Sequence, residues 1–166
     1  TTEYAVSQEA GESFTTYFIT PNPKTYRWKS TATDSRWLNP SNWEFQENET
    51  WISAARYPGE GTTGDSVVVT SDTSVQLTTS LTFASLQVAG ARLSLSIPEN
   101  TSEPTLTAAT TLGDSAASVS VAGVILANVP TTTVANSYVA HNSASGVFSV
   151  DTYKELTIVP NNSTVT

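Results

Sequence analysis

The sequence lacks cysteine and methionine altogether, and it contains a single histidine among its 166 residues. Without cysteine, a disulfide framework, a thiolate zinc site and a thiol nucleophile are all excluded. Because no initiator methionine is present, we expect a processed or excised segment. No apolar run approaches the roughly 20 residues that cross a bilayer, so membrane insertion is not expected.

Charge is scarce and mostly negative. Fifteen acidic residues outnumber seven basic ones, which gives a net charge of -8 and leaves only 13% of the chain charged. A surplus of carboxylates disfavours nucleic acid as a partner, since binding to phosphates depends on Lys and Arg. Serine and threonine together make up about 30% of the residues. Such a polar, weakly charged surface predicts a secreted or cell-surface location.

Residues suited to catalysis are few. His141 lies in a turn-like stretch, and no Gly-x-Ser-x-Gly elbow accompanies it. Carboxylate pairs could be drawn from several acidic residues, but spacing alone places no two of them at hydrolytic distance: Glu44, Glu47, Glu49, Asp65, Asp72 and Asp114. Neither Gly64-Asp65 nor Gly113-Asp114 extends into the series of oxygen ligands that calcium needs. We therefore expect no enzyme, no metal site and no cofactor.

The stretch from Leu81 to Leu95 carries the clearest structural pattern. Its apolar residues alternate with period two, as in a β-strand, and the alternation changes phase twice, after Phe83 and after Val88. Each change would turn the following inward side chains in a new direction. The pattern predicts a chain that turns corners around one core.

A second pattern is an internal echo. The segment Leu86 to Leu93 returns 33 positions later as Val119 to Leu126, with Val-Ala-Gly-x-x-Leu identical in both, and a looser copy starts at Leu156-Thr-Ile158. Spacings of this size are typical of stacked repeats. The fold predicted is all-β, a parallel β-helix or β-solenoid whose equivalent repeat members are buried and stacked. A β-sandwich is the alternative, because many short strands separated by turns fit it too.

The chain divides into an arm and a main domain. Residues 1–27 are polar with scattered aromatic residues and end in Pro21-Asn-Pro23, so they are expected to form an arm or an edge strand. This strand would pack on its own domain or be supplied to a neighbouring molecule. Residues 28–166 would form the solenoid, and residues 28–65, here called the tryptophan block, would cover its front.

All four tryptophans lie in that block, in a stretch expected to be rich in loops. Trp37 and Trp43 are expected to be buried as structural anchors. Trp28 and Trp51 are the residues expected to be exposed, where they could stack on sugar rings. Sequons at Asn48, Asn100, Asn161 and Asn162 lie in polar, turn-like surroundings and are candidates for glycosylation.

The segments Trp37-Leu-Asn-Pro-Ser-Asn42-Trp43 and Tyr57-Pro58-Gly59, followed by Gly64-Asp65-Ser-Val67, resemble a module that leads into the strands of large secreted β-solenoid proteins. These are autotransporter-like and adhesin-like bacterial surface proteins and, more distantly, the G8 domains of animal surface proteins. The resemblance implies a solenoid fold, a surface location and a role in adhesion or surface architecture. Pro58-Gly59 and Gly64-Asp65 would make two tight turns of the cap, with Asp65 capping its own turn.

These observations predict an extracellular structural or adhesive module without enzymatic activity. Its partners would be further copies of itself or neighbouring domains of a larger surface protein, and it could stack end to end into a fibre. The alternative is a carbohydrate-binding module that uses the tryptophan block to hold glycans. A third hypothesis, the front part of a solenoid polysaccharide lyase or hydrolase, would require a cleft with paired acids.

Overall fold

The computed structural model describes residues 3–11, 14–113 and 116–128, together with the backbone of three later strands. Its regular elements in this part of the chain are β-strands, apart from one turn of 3-10 helix at Pro40–Asn42. The fold class is therefore all-β, as the sequence predicts. The described residues include no helix long and apolar enough to span a bilayer.

Fifteen strands follow one another in the described part of the chain. Their bounds are β1 Tyr4–Ala10, β2 Thr15–Pro21, β3 Thr25–Trp28, β4 Trp43–Glu47, β5 Thr50–Ser53, β6 Ser66–Val69, β7 Thr73–Gln76, β8 Leu81–Val88, β9 Arg92–Ser96, β10 Thr105–Leu112, β11 Ser118–Ala122, β12 Ile125–Asn128, β13 Val139–His141, β14 Phe148–Asp151 and β15 Thr157–Val159.

From β6 to β12 the chain alternates between two sheets. Strands β6, β8, β10 and β12 pair in parallel in the first sheet, and β7, β9 and β11 pair in parallel in the second. Val69 lies opposite Val88, 19 positions later, and Leu93 lies opposite Val119, 26 positions later. Each further 19 to 26 residues of the chain therefore adds one strand to each sheet.

The inward side chains of both sheets form one hydrophobic cluster. It includes Val67, Leu86, Val88, Leu106 and Leu126 from the first sheet and Val75, Leu93, Leu95, Val119 and Val121 from the second. Aliphatic side chains of this kind stabilise the fold by about 1.5 to 3 kcal/mol each when fully buried. The expected burial of the apolar residues in both Val-Ala-Gly segments is confirmed.

The two Val-Ala-Gly segments, however, are not equivalent members of a repeat. The first leads from β8 in the first sheet to β9 in the second, whereas the other leads from β11 in the second sheet to β12 in the first. Leu93 of the first segment therefore pairs with Val119 of the other segment and not with its own equivalent there, Leu126. The expected stacking of equivalent residues is wrong. What they share is the turn, since Gly90 and Gly123 have φ values of 63° and 69°. Glycine adopts this left-handed conformation without the cost that a Cβ imposes.

The first change of phase, after Phe83, is a bulge and not a corner. Leu81–Val88 is one continuous strand, and the amides of both Ala84 and Ser85 point to the carbonyl oxygen of Asp65, at 2.7 and 3.4 Å. Ala84 and Ser85 thus both lie opposite Asp65, and the extra residue returns Leu86 to the buried face. The sequence shows the phase change but does not distinguish a bulge from a corner. The second change, at Gly90, is a corner as predicted.

Serines fill matching outward positions of the second sheet. Ser94 lies between Ser74 and Ser120 in register, and the Ser120 hydroxyl donates to Ser94 Oγ at 3.1 Å. A row of small hydroxyl groups covers the outer side of parallel strands without adding charge. This arrangement places part of the high serine content on the surface.

The tryptophan block contains more strand than its sequence suggests. Strand β3 pairs in parallel with β6 and thereby extends the first sheet, and β4 and β5 add to it as antiparallel strands. Strand β3 also spans the expected boundary between residues 27 and 28. The expectation of a loop-rich block is therefore wrong for Trp43–Glu47 and Thr50–Ser53, which are short strands joined by a tight turn.

Two further groups of strands lie at the ends of the chain. Strands β1 and β2 form a separate antiparallel hairpin. Beyond β12, the strands β13 and β14 reverse direction and pair antiparallel with β12 and β11, and β15 pairs with β14. The third copy of the echo begins at Leu156, outside the described residues, and continues into β15.

Candidate functional site

Trp37 and Trp43 form the centre of an aromatic cluster that also includes Trp28 and Phe83. Trp37 and Trp43 are each 1% exposed, and Trp37 stacks on Phe83 with a centroid distance of 5.5 Å. The indole Nε1 of Trp37 donates to the carbonyl oxygen of Pro58 at 3.1 Å, and that of Trp43 donates to the carbonyl oxygen of Trp37 at 2.7 Å. Buried indoles with satisfied donors act as structural anchors, so the expected burial of both is confirmed.

Trp28 and Trp51 are each partly buried. Trp28 packs edge-on against Trp43 with an interplanar angle of 86°. The guanidinium of Arg27 lies 4.5 Å from the centre of the Trp51 ring and also binds Glu44. Since Trp37 and Trp43 meet at 61°, these rings do not form an open row of parallel planes on which a sugar chain could stack.

The loop from Pro58 to Asp65 is organised by a buried ion pair. Arg56 and Asp65 have fully buried side chains, and their two charged groups meet through hydrogen bonds of 2.5 and 2.7 Å. The Asp65 carboxylate also accepts from the backbone amides of Gly59 and Lys24, each at 3.0 Å. Asp65 therefore joins three segments of chain. The expected role of capping its own turn is wrong, because the carboxylate binds Lys24, Arg56 and Gly59 and residues 64–65 do not form a turn.

The Arg56 guanidinium makes further contacts that tie the N-terminal segment to this loop. It donates to the carbonyl oxygen of Asn22 at 2.6 Å and lies 5.3 Å from the ring centre of Tyr26. Burial alone would lower the pKa of Arg56, but the hydrogen bonds and negative charge of Asp65 outweigh it, so the pKa is raised. Its Nε is a buried nitrogen without a hydrogen-bond partner. The guanidinium thus stays charged inside the protein.

Glu3 fixes the hairpin to the body. Its side chain is 5% exposed, accepts from the Tyr26 hydroxyl at 2.9 Å and accepts from the amide of Ala55 at 2.6 Å. Its backbone oxygen accepts from the amide of Asn22 at 2.8 Å, across the base of the hairpin. Burial chiefly, and the bond to Glu3 in addition, raise the pKa of Tyr26 despite the opposing charge of Arg56.

Beyond this anchor, the hairpin exposes large apolar side chains. Val6, Phe14, Tyr17 and Ile19 are between 64% and 70% exposed, and Phe18 is 47% exposed. In the register of the hairpin, Val6 lies opposite Ile19. Tyr4 and Tyr17 lie an even number of residues away on their own strands, so these four side chains share one face. We call this set, Tyr4, Val6, Tyr17 and Ile19, the apolar face of the hairpin.

The opposite face of the hairpin is mostly polar. It carries Ser7 and Glu9 on β1 with Thr16, Phe18 and Thr20 on β2. A two-stranded hairpin has little stability of its own in water and is normally stabilised by a third strand or by packing. The exposed apolar face is therefore the surface of the described chain best suited to contact another molecule.

The expected glycosylation sites fall partly within the described residues. Asn48 and Asn100 are exposed, and both have a positive φ, of 48° and 59°. Asn48 lies in the turn that joins β4 and β5, and Asn100 lies in the segment between β9 and β10. Asn161 and Asn162 lie outside the described residues.

The acidic residues weighed for catalysis are distributed among structural contacts. Glu44 binds Arg27, Glu47 lies 3.8 Å from Lys24, and Asp72 accepts from the amide of Arg92. Asp114 lies outside the described residues, and His141 is the last residue of β13. Across residues 3–11, 14–113 and 116–128 no group of three His, Asp or Glu side chains is placed to hold a metal ion.

Sequence reasoning missed the two residues that organise this site. Glu3 was one polar residue of an arm, and Arg56 one of several basic residues in the tryptophan block. Glu3 is buried by contacts with Tyr26 and Ala55, which lie 23 and 52 positions away. Arg56 is buried by contacts with Asp65 and Asn22, which lie 9 and 34 positions away. No local pattern marks such contacts. Only the Gly64-Asp65 pair gave a signal, through its resemblance to the solenoid module.

No protein-family model, no curated protein and no solved structure matches this chain. The inference of function therefore rests on the sequence and on the geometry described above.

Proposed function

We propose that this chain is a β-solenoid module of an extracellular surface protein, with a structural or adhesive role, and that it associates with other molecules through its N-terminal hairpin. The observation that carries the proposal is the hairpin itself, whose apolar face is exposed although its base is fixed to the body by a buried carboxylate. A surface that is apolar, exposed and attached to the body at its base suits a contact with another protein.

The arrangement of strands supports the solenoid. Seven consecutive strands, β6 to β12, alternate between two sheets, and neighbours within each sheet are parallel. A β-sandwich is built from antiparallel sheets, so parallel pairing favours the solenoid over that alternative. Each coil of such a solenoid would consist of one strand from each sheet. The tryptophan block would then cover the first coil, as the resemblance to the solenoid module implies.

The surface chemistry supports an extracellular role. Outward positions of the second sheet carry serine, as at Ser94 and Ser120, and the sequons at Asn48 and Asn100 lie on exposed turns. Carbohydrate attached at either turn would project into solvent. We accordingly propose that the protein is secreted or displayed on a cell surface and is glycosylated where its host provides the machinery.

Partners are proposed to be further copies of this chain or neighbouring domains of a larger surface protein. Glycan binding by the tryptophan block receives no support from the ring geometry, because Trp37 and Trp43 are buried and Trp28 packs against Trp43.

The test is the mass of the chain in solution as a function of concentration, measured by multi-angle light scattering. We expect the wild-type protein to associate as its concentration rises. The double variant Val6→Glu/Ile19→Glu should remain monomeric, because it places two charges on the apolar face. The matched control Ser7→Glu/Thr20→Glu adds the same charge on the opposite face and should associate like the wild type. A wild-type chain that stays monomeric at millimolar concentration would contradict self-association.

A further inference from the structure

We infer that the partner of the hairpin is a second copy of this chain and that the contact is reciprocal, each copy laying its hairpin along the edge strand β5 of the other. This inference rests on the proposed function and names the partner and the acceptor surface. Three features of the described residues support it: an outermost strand next to the hairpin, the distribution of charge, and the small size of the hairpin face.

The acceptor is the end strand of the first sheet. Strand β5 is the last of the eight strands in that sheet, and no further strand lies beyond it in the described part of the chain. An outermost strand offers backbone donors and acceptors that an added strand can pair with. The hairpin supplies such strands, since β1 and β2 each have one ladder side that does not face the other.

The donor and the acceptor lie next to each other in one molecule. Glu3, at the base of the hairpin, accepts from the amide of Ala55, two residues after β5 ends. A twofold axis that brings the hairpin of one copy against β5 of the other also forms the reverse contact. Because the hairpin and β5 lie next to each other, both contacts fit in one interface. Such twofold contacts close after two copies, whereas head-to-tail contacts generate rings or open chains.

Charge favours the same pairing. The first 23 residues carry three carboxylates and no basic side chain, and residues 57–166 carry eight acidic and two basic residues. Residues 24–56, which include β5, carry five basic and four acidic residues. One of the basic residues, Arg56, is buried and neutralised by Asp65, so this stretch is close to neutral and is the least negative of the three. The acidic hairpin therefore meets less repulsion along residues 24–56 of a second copy than along either of the other stretches.

The size of the hairpin favours reciprocity. One face of a two-stranded ribbon with seven residues in each strand covers about 250 Å² at the usual strand dimensions. A stable interface buries about 800 Å² on each partner. One hairpin docked on one edge falls well short of this, whereas a reciprocal contact uses two hairpins and two acceptor edges in a single interface.

The test uses the absence of cysteine from the chain. The double variant Gln8→Cys/Thr50→Cys places one thiol on the hairpin and one on β5, and a short thiol-reactive cross-linker then joins neighbours. We expect a closed dimer with two cross-links, identified by its mass under denaturing conditions. The matched control Gln8→Cys/Ser71→Cys, with the second thiol on the exposed loop between β6 and β7, should give no doubly linked dimer.

Other products would overturn the inference in distinct ways. A ladder of trimers and larger species would show that copies join head to tail, which contradicts reciprocity but leaves association through the hairpin intact. A cross-link within one chain would show that the hairpin covers its own β5. If no product forms and light scattering shows a monomer, the proposed self-association fails as well. If light scattering shows association that Val6→Glu/Ile19→Glu abolishes, yet no cross-link forms, only the choice of β5 as acceptor is wrong.

Discussion

Arg56 and Asp65 are joined inside the protein by two hydrogen bonds, of 2.5 and 2.7 Å, with neither side chain exposed to solvent. Asn22 and Lys24, in the segment before β3, and Gly59, in the Pro58-Gly59 turn, bind this pair. Asp65 itself directly precedes β6. The pair thereby connects the anchor of the hairpin to the first parallel strands.

Removal of one partner should be costly. Arg56→Met leaves the Asp65 carboxylate buried without its counter-charge, and we expect a loss of about 3 to 5 kcal/mol in the free energy of unfolding. Urea denaturation followed by tryptophan fluorescence measures it. Arg27→Met is the matched control, because the Arg27–Glu44 pair is partly exposed, and it should cost less than about 1 kcal/mol. Equal losses in the two variants would show that burial of Arg56 does not matter.

Substitution of a buried and of a partly exposed tryptophan should lower stability by different amounts. Trp43→Ala removes a buried ring and its hydrogen bond to Trp37, so we expect a loss of about 3 to 5 kcal/mol. Trp51→Ala removes a partly exposed ring and should cost much less. Thermal unfolding followed by circular dichroism measures both. A Trp43→Ala protein as stable as the wild type would contradict a structural role for the aromatic cluster.

The two glycine corners allow a comparison within one protein. Gly90→Ala and Gly123→Ala both place a Cβ in the left-handed region, at a cost of about 1 to 2 kcal/mol. At Gly123 the added Cβ would also lie 2.6 Å from Ile97 Cδ1, so Gly123→Ala should be the more destabilising. Ile97→Val removes that methyl group and should restore part of the loss. If Ile97→Val restores nothing in a double-mutant cycle, the steric explanation is wrong.

Tyr26 should make stability depend on alkaline pH. Its pKa is raised in the folded protein, so the neutral phenol is favoured by folding. The contribution of Tyr26 to the free energy of unfolding is fully present below about pH 10, the pKa of tyrosine in the unfolded chain. It declines as the pH rises above that value, by up to about 1.4 kcal/mol per pH unit. The stability difference between the wild type and Tyr26→Phe, measured by urea denaturation from pH 8 to 11, should therefore shrink above pH 10. A constant difference would contradict burial of the hydroxyl.

Local pattern predicts local structure well in this chain. Alternation of apolar residues located most of the strands from Val67 onward and the residues that face the core, and the Val-Ala-Gly segments marked real corners. The sequence that the two segments share predicted the wrong strand register. The same corner can lead from the first sheet to the second or from the second sheet to the first. The spacing between the two segments does not by itself show which sheet a strand belongs to.

Contacts between distant segments explain the rest. Strands β4 and β5 are only five and four residues long, too short for a clear period, and their outward positions mix charged and aromatic residues. The hairpin exposes its apolar face to solvent, which is the reverse of what strand patterns usually indicate. Its register depends on the pairing of β1 with β2, and its position depends on Glu3, so both required the structure.

Amide hydrogen exchange of residues 4–21, measured by mass spectrometry at low and high protein concentration, tests most directly whether the hairpin is a contact surface. In a free hairpin that is stabilised only at its base, amides should exchange rapidly. The account predicts that protection of this segment rises with concentration in the wild type and in Ser7→Glu/Thr20→Glu, but not in Val6→Glu/Ile19→Glu. Rapid exchange at every concentration in the wild type would contradict it.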